Sequence, residues 1–263
     1  MNSILEQLKR RVADLEERLS TDGALNADRI AVFDLDGTLL EGDIGEAVFA
    51  YLLHQGQQLG WTWEDYQRTL RTHKARAYRA VVEAMAGMEV EAVREATRSV
   101  MSLEKTNLAL HSSPVRTPKP RTLFVELVSF LAHLQYRIYV ISASNHISVQ
   151  HIVGEWFDIP RSRAFGIETR IINGRLTSEL IEPVPIGIGK ADLYKRFEGR
   201  NKPLITATDS RIDSPLLHLT HTEGLSIWVG ENQLDFDVVM ERASNGQQIC
   251  VVGTEEESKT DQY

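Results

Sequence analysis

The chain has 263 residues, 42% hydrophobic and 25% charged, which is enough for a full core in one domain with an insertion or in two small ones. Its 37 Asp and Glu outnumber 29 Lys and Arg, and the net charge of -8 argues against nonspecific binding to nucleic acid or anionic membranes. The single cysteine, Cys250, excludes a disulfide framework; no apolar stretch reaches the ~20 residues of a bilayer span and no secretory signal is visible, so the expectation is a soluble cytoplasmic protein.

In chain order, residues 3 to 20 read as a charged amphipathic helix with Ile4, Leu8, Val12, Leu15 and Leu19 on one stripe. About two and a half heptads are too few for a coiled coil, so the stripe predicts packing on its own chain or a modest homodimer contact. Ile30 to Leu40 follows, an apolar strand running into Asp34, Asp36, Gly37 and Thr38. A strand without polar alternation fits a parallel sheet covered on both faces, and ligand sites in such sheets lie at the carboxyl ends of strands.

Residues 44 to about 110 read as helical throughout, in three stretches: Ile44 to Gln58, Trp63 to Met85 and Val90 to Leu110. The proline-rich stretch Ser112 to Pro120 can be neither helix nor central strand, and marks the return from a helical insertion. Beyond it helices and strands alternate: helix 121 to 134, strand Arg137 to Ile141, helix 145 to 156, then a hairpin of Phe165 to Ile172 and Arg175 to Ile181 around Asn173-Gly174. Helix 189 to 198, strand Leu204 to Ala207, strand Leu225 to Val229, helix 233 to 243 and strand Gln248 to Val252 complete the pattern. The expected units are an N-terminal helix (1–22), an α/β core (23–43 and 118–253), a helical cap (44–117) and a disordered tail (254–263).

Polar residues fall at four ends of these elements: Asp34 and Asp36 after the first strand, Ser142 after Ile138 to Ile141, Lys190 at a helix start, and Asp209 and Asp213 after Leu204 to Ala207. In that order, Asp-x-Asp-Gly-Thr, Ser, Lys and Asp-Ser-x-x-x-Asp, the set resembles the four motifs of the haloacid dehalogenase (HAD) superfamily over roughly residues 29 to 253. The insertion after the first motif resembles the C1 cap class, and Val140 to Ser144, Asn173 to Thr177 and Gly187 to Lys190 resemble the phosphoserine and phosphorylcholine phosphatase-like branch. The resemblance implies a doubly wound, Rossmann-like parallel sheet with an inserted helical cap and a β-hairpin. One departure is visible, Thr208 where family members often have Gly.

The resemblance also implies a Mg²⁺-dependent phosphomonoesterase acting on a small-molecule phosphate ester. Asp34 would be nucleophile and metal ligand, forming an aspartyl-phosphate. Asp36 would be general acid and then base, its pKa raised by the charge of Asp34, and its backbone carbonyl would join Asp34 and Asp209 in holding Mg²⁺. Ser142, with Ala143 beside it, and Lys190 would hold the phosphoryl group, and Asp213 would orient Lys190 or a metal-bound water. Asp43, nine residues past the nucleophile, is where related enzymes often carry an acid near a substrate amine; it equally suits an N-cap for the helix at Ile44. Trp61, Trp63, Tyr66 and Tyr78 could wall such a cation or form the cap's core. His146 and His151, five apart, do not share a helix face as a metal pair would. A phosphotransferase or phosphomutase, and a noncatalytic phosphate-binding module, are the alternative readings, while Asp36 disfavours a dehalogenase.

Overall fold

The computed structural model describes residues 2–21, 27–103, 107–108, 115–230 and 248–252. Helix α1 (Asn2–Thr21) buries Leu8, Val12 and Leu15 completely within its own chain, against the region of α6 (Thr122–His133). Its polar edge is tied down as well: the Tyr136 hydroxyl donates to Glu16 at 2.8 Å, and Arg18 pairs with Glu223 at 2.8 Å.

Strand β1 (Ile30–Phe33) is buried at every position, because both faces of its sheet are covered. Ala31 and Phe33 pack with Phe124 and Leu127 of α6; Ile30 and Val32 pack with Tyr194 and Leu216 on the other face. After β1 come the short strand β2 (Leu40–Glu41) and the insertion's helices α2 (Ile44–His54), α3 (Trp63–Thr72), α4 (Lys74–Ala84) and α5 (Val90–Met101). The pairs β3 (Asn107–Leu108) with β4 (Val115–Arg116), and β5 (Lys119–Pro120) with β2, close it. The second of these pairs clasps the two chain crossings into the insertion side by side.

Past α6 the chain runs through β6 (Arg137–Asn145), α7 (His146–Phe157), β7 (Ala164–Ile167), β8 (Thr169–Ile172), β9 (Arg175–Leu180) and α8 (Ile188–Glu198). It ends with β10 (Ile205–Thr208), α9 (Ser214–Leu217), β11 (Leu225–Val229) and β12 (Gln248–Val252). The main sheet is parallel, in the order β12-β11-β10-β1-β6-β7. This is the doubly wound α/β sheet expected, and the chain reverses its direction across the sheet at β1. The crevice at the carboxyl ends of β1, β6 and β10 is therefore where a ligand site is expected.

Four local readings are corrected. The stretch from Trp63 to Met85 is two helices, broken at His73 (φ -147°), where Thr72 turns its hydroxyl back onto the Arg68 and Thr69 carbonyls and competes with the helix. The helix from Val90 stops at Met101, closed by the Ser102 hydroxyl on Ser99, and Asn107–Leu108 is strand, because its backbone pairs with Val115–Arg116. Ser142 lies inside β6, which continues through an irregularity in its pairing with β7 to Asn145. Phe165 to Ile167 belongs to the main sheet, paired in parallel with β6, so the hairpin is only β8 and β9 around Asn173 (φ 51°) and Gly174 (φ 77°). The predicted helix 233 to 243 and the tail 254–263 lie outside the described residues.

The hairpin reaches the insertion. Gly87 donates its N–H to Leu176 O at 2.8 Å, Leu176 donates to Met88 O at 2.9 Å, and Arg175 donates from Nη1 to Gly87 O at 2.7 Å. The turn between α4 and α5 is thereby held to the β8–β9 hairpin by backbone pairing.

The packing of α1 makes a direct prediction. Leu8→Ala leaves a cavity inside the chain and should cost about 2–5 kcal/mol in urea unfolding. The unfolding midpoint should not depend on protein concentration; a midpoint rising with concentration would mean that the stripe is shared between chains.

Candidate active site

At the end of β1 the N–H of Asp34 donates to Ala207 O at 3.0 Å, so the carboxylate leaves the sheet between β1 and β10. It is 3% exposed. Its Oδ1 accepts from Leu35 N at 2.8 Å and from Lys190 Nζ at 2.6 Å, and its Oδ2 from Thr208 Oγ1 at 3.1 Å. The loop then turns at Gly37 with φ 73°, and a Cβ there would lie 2.2 Å from Asp209 Oδ2. Only glycine permits both that φ and that approach. Thr38 donates to the other oxygen of Asp209 at 3.1 Å, tying the ends of β1 and β10 together.

Asp36 points toward β6 and the start of α2. Its Oδ1 accepts from Ile44 N at 2.7 Å; its Oδ2 accepts from Ser142 Oγ at 2.8 Å and Ser144 Oγ at 2.7 Å. Two hydroxyls two residues apart reach one oxygen because alternate strand residues share a face. Ser142 is fully buried, with its hydroxyl committed to Asp36, and Ala143 takes the place on the cavity wall.

Lys190 enters from the first turn of α8. It is 1% exposed and pairs with Asp34 Oδ1 at 2.6 Å and Asp213 Oδ2 at 2.8 Å, while the other oxygen of Asp213 accepts from Gly187 N at 2.7 Å. Asp34, Asp36, Lys190 and Asp213 border a cavity of about 260 Å³ that is also lined by Asp43, Lys74, Tyr78, Ile186 and Ile212. Asp43 both lines this cavity and caps α2, accepting from Glu46 N at 2.8 Å. Of the four cap aromatics, Tyr78 reaches the cavity, Trp63 and Tyr66 are buried beside Phe49, and Trp61 packs against the core. His146 accepts from Gly166 N through Nδ1, and neither it nor His151 lines the cavity.

The electrostatics follow from crowding acids in a buried cleft. Burial pushes the Asp34 carboxyl well above its ordinary range, opposed by Lys190 and reinforced by the charges of Asp213 and Asp209. Burial likewise raises Asp209, against the pull of Lys190 and the Thr38 hydroxyl. Asp36 is raised by burial although the Ile44 N–H, Ser144 and Ser142 all favour its anion. Asp43 is raised well above normal by burial and by the charges of Asp36 and Glu46. For Lys190 burial opposes the charge, but Asp213 and Asp34 overcome it and hold the ammonium protonated.

Among the described residues no three Asp, Glu, His or Cys side chains form a complete metal cage. Mg²⁺ does not call for one: it is held by one or two carboxylates and completes its shell with waters and substrate oxygens. Asp34 and Asp209 fit that role as hard oxygen donors, and the charge of Asp209 adds to the cost of ionising Asp34, a cost that a bound cation relieves. The residues present therefore fit Mg²⁺.

Ser144, Lys74 and the contact made by Thr208 were not read as site features from sequence. The alternation Ser142-x-Ser144 on one strand could have flagged Ser144. Lys74 carries no local signal, because it reaches the cavity through the break at His73.

A raised carboxylate pKa binds its proton more tightly folded than unfolded, so its ionisation destabilises the fold as pH rises from the unfolded value near 4 toward the folded one. Asp34→Asn is permanently neutral. In chelator it should raise the thermal midpoint over wild type more at pH 7 than at pH 4; an equal or smaller gain at pH 7 would contradict the direction assigned to Asp34.

The profile of the haloacid dehalogenase-like hydrolases matches residues 31–218. No curated protein matches the sequence as a relative. Among solved structures, a protein of unknown function from Bordetella pertussis Tohama I is similar with a TM-score of 0.65 at 18% identity, over 85% of this chain and 98% of that one. A phosphoserine phosphatase, determined as a phospho-aspartyl intermediate analogue, is similar with a TM-score of 0.54 at 17% identity, over 86% and 94%. A phosphoserine phosphohydrolase-like protein from Francisella tularensis gives 0.55 at 16%, over 84% and 94%. At such identities the structures speak for the fold; the profile, which spans the strand carrying Asp34, the insertion, Lys190 and Asp213, shows that the chain belongs to the haloacid dehalogenase-like hydrolases.

Proposed function

We propose that the protein is a Mg²⁺-dependent phosphatase that hydrolyses a small-molecule phosphate monoester through an aspartyl-phosphate on Asp34. One observation carries the reading: a buried carboxylate fixed by an ammonium stands with a second, separately held carboxylate on one small cleft. The phosphoserine phosphatase fold of the solved relatives agrees with it.

An oxygen of Asp34 attacks phosphorus, the bond from phosphorus to the leaving oxygen breaks, and Asp36 gives that oxygen its proton. Asp36 then takes a proton from water as the water attacks phosphorus, which breaks the bond to Asp34 and frees inorganic phosphate. Burial of Asp36 favours the protonated form that the first step needs, and its three donors keep the anion aligned for the second. Lys190 meets the anionic charge gathered at Asp34. Asp34, Asp209 and the Asp36 carbonyl would hold Mg²⁺, which would supply the remaining positive charge that a carboxylate attack on a dianion demands.

Asp43, Lys74 and Tyr78 line the same cleft and supply polar groups to meet a leaving group, which favours a compact ester with a polar alcohol. Nucleic acid is not its natural ligand at a net charge of -8. No helix among the described residues is long and apolar enough to cross a membrane, and a cytoplasmic setting, where small phosphate esters are made, goes with this reading.

A panel of amino-alcohol, sugar and nucleotide monophosphates tests it. At least one should release phosphate, with release lost in chelator and in Asp34→Asn and reduced roughly 10²–10⁴-fold in kcat by Asp36→Asn. No release above the Asp34→Asn background from any ester would end the proposal. Within the same panel, Asp43→Ala should selectively weaken cationic esters; equal activity toward all would remove Asp43 from substrate recognition.

A further inference from the structure

Position 208 carries a hydroxyl where the resembled family often carries glycine, and the structure gives that hydroxyl a partner in the reacting group. Thr208 ends β10 and is fully buried. The parallel register pairs Phe33 with Ala207, so the next residues along, Asp34 and Thr208, stand side by side. Thr208 Oγ1 accepts from Ser210 N at 3.3 Å and lies 3.1 Å from Asp34 Oδ2. A hydroxyl has one proton to give. With the Ser210 N–H acting as donor, that proton is left for the carboxylate.

Lys190 and the Leu35 N–H both hold Oδ1 of Asp34, so the hydroxyl is the only protein donor given to Oδ2 among the described residues. The terminal torsion of an aspartate is broad, so a carboxylate held by one oxygen can still swing. A β-branched residue in a strand has a stiff side chain and makes a firm second anchor. We propose that Thr208 is a positioning residue, whose hydroxyl holds the second oxygen of Asp34 and so fixes the plane of the nucleophile before substrate arrives. A glycine there makes no such bond.

The inference rests on the phosphatase reading for its catalytic consequence and on the Thr208–Asp34 contact alone for its structural one. Two measurements keep them apart. In steady-state kinetics Thr208→Val, which keeps the shape and removes the hydroxyl, should lower kcat by roughly 10- to 100-fold with KM within about twofold, the signature of a misplaced reacting group. Thr208→Ser should recover most of the loss. Wild-type kcat in the valine variant, a loss confined to KM, or a serine variant as slow as the valine one would each overturn the role.

In urea unfolding without metal, Thr208→Val should lower the midpoint more when Asp34 is present than beside Asp34→Leu, where only the bond from the Ser210 N–H is lost. An equal shift in both backgrounds would overturn the contact. If no ester is hydrolysed at all, the phosphatase reading falls, and with it the kinetic role. The unfolding cycle then still decides whether the hydroxyl holds Asp34.

Discussion

The site depends on one buried ammonium. Lys190 lies between Asp34 and Asp213, 2.6 and 2.8 Å from their oxygens and almost wholly out of water. Removing the ammonium from such a buried cluster is costly, typically about 3–5 kcal/mol, because two carboxylates lose the cation they share, whereas loss of the Asp34 charge leaves Lys190 paired with Asp213. The lysine therefore acts as structure before it acts as chemistry: it draws together the end of β1, the start of α8 and the turn after β10. Asp34 remains uneasy as an anion even so, and that unease is what a divalent cation and a phosphoryl group can exploit.

The second carboxylate is governed differently. Asp36 is held from two directions, by the hydroxyls of Ser142 and Ser144 on β6 and by the first N–H of α2. Gly45 N, one residue further into α2, donates to Ser144 at 3.0 Å. The proposed proton carrier is thus shared between the core sheet and the first turn of the cap, while the hairpin β8–β9 grips the cap's far turn. The setting of Asp36 therefore depends on where the first turn of α2 sits against β6.

Much of this was legible along the chain because it is local. The run from Ile30 to Thr38 writes a buried strand and its reactive loop in consecutive letters, and Asn173-Gly174 writes a turn. What depended on distant packing was harder to read. Ser142 looked like the end of a strand because Ser-Ala-Ser is not apolar, yet β6 runs on through it, since those hydroxyls find Asp36. Phe165 to Ile167 read as one arm of the hairpin, because a short apolar strand next to another shows no boundary in sequence; pairing with β6 creates that boundary. Thr208 looked like a departure from a pattern, and only the neighbouring strand gives its hydroxyl a purpose.

In the proposed reaction Asp34, and no other carboxylate in the cleft, carries the phosphoryl group. The most direct measurement is mass spectrometry of peptides from a reaction with an accepted phosphate ester, quenched in acid within a single turnover. A phosphoryl increment is expected on the peptide carrying Asp34, assigned to that residue by fragmentation and missing in Asp34→Asn. A phosphoryl group on Asp36, Asp43 or Asp209, or turnover with no phosphorylated peptide at any quench time, would contradict it.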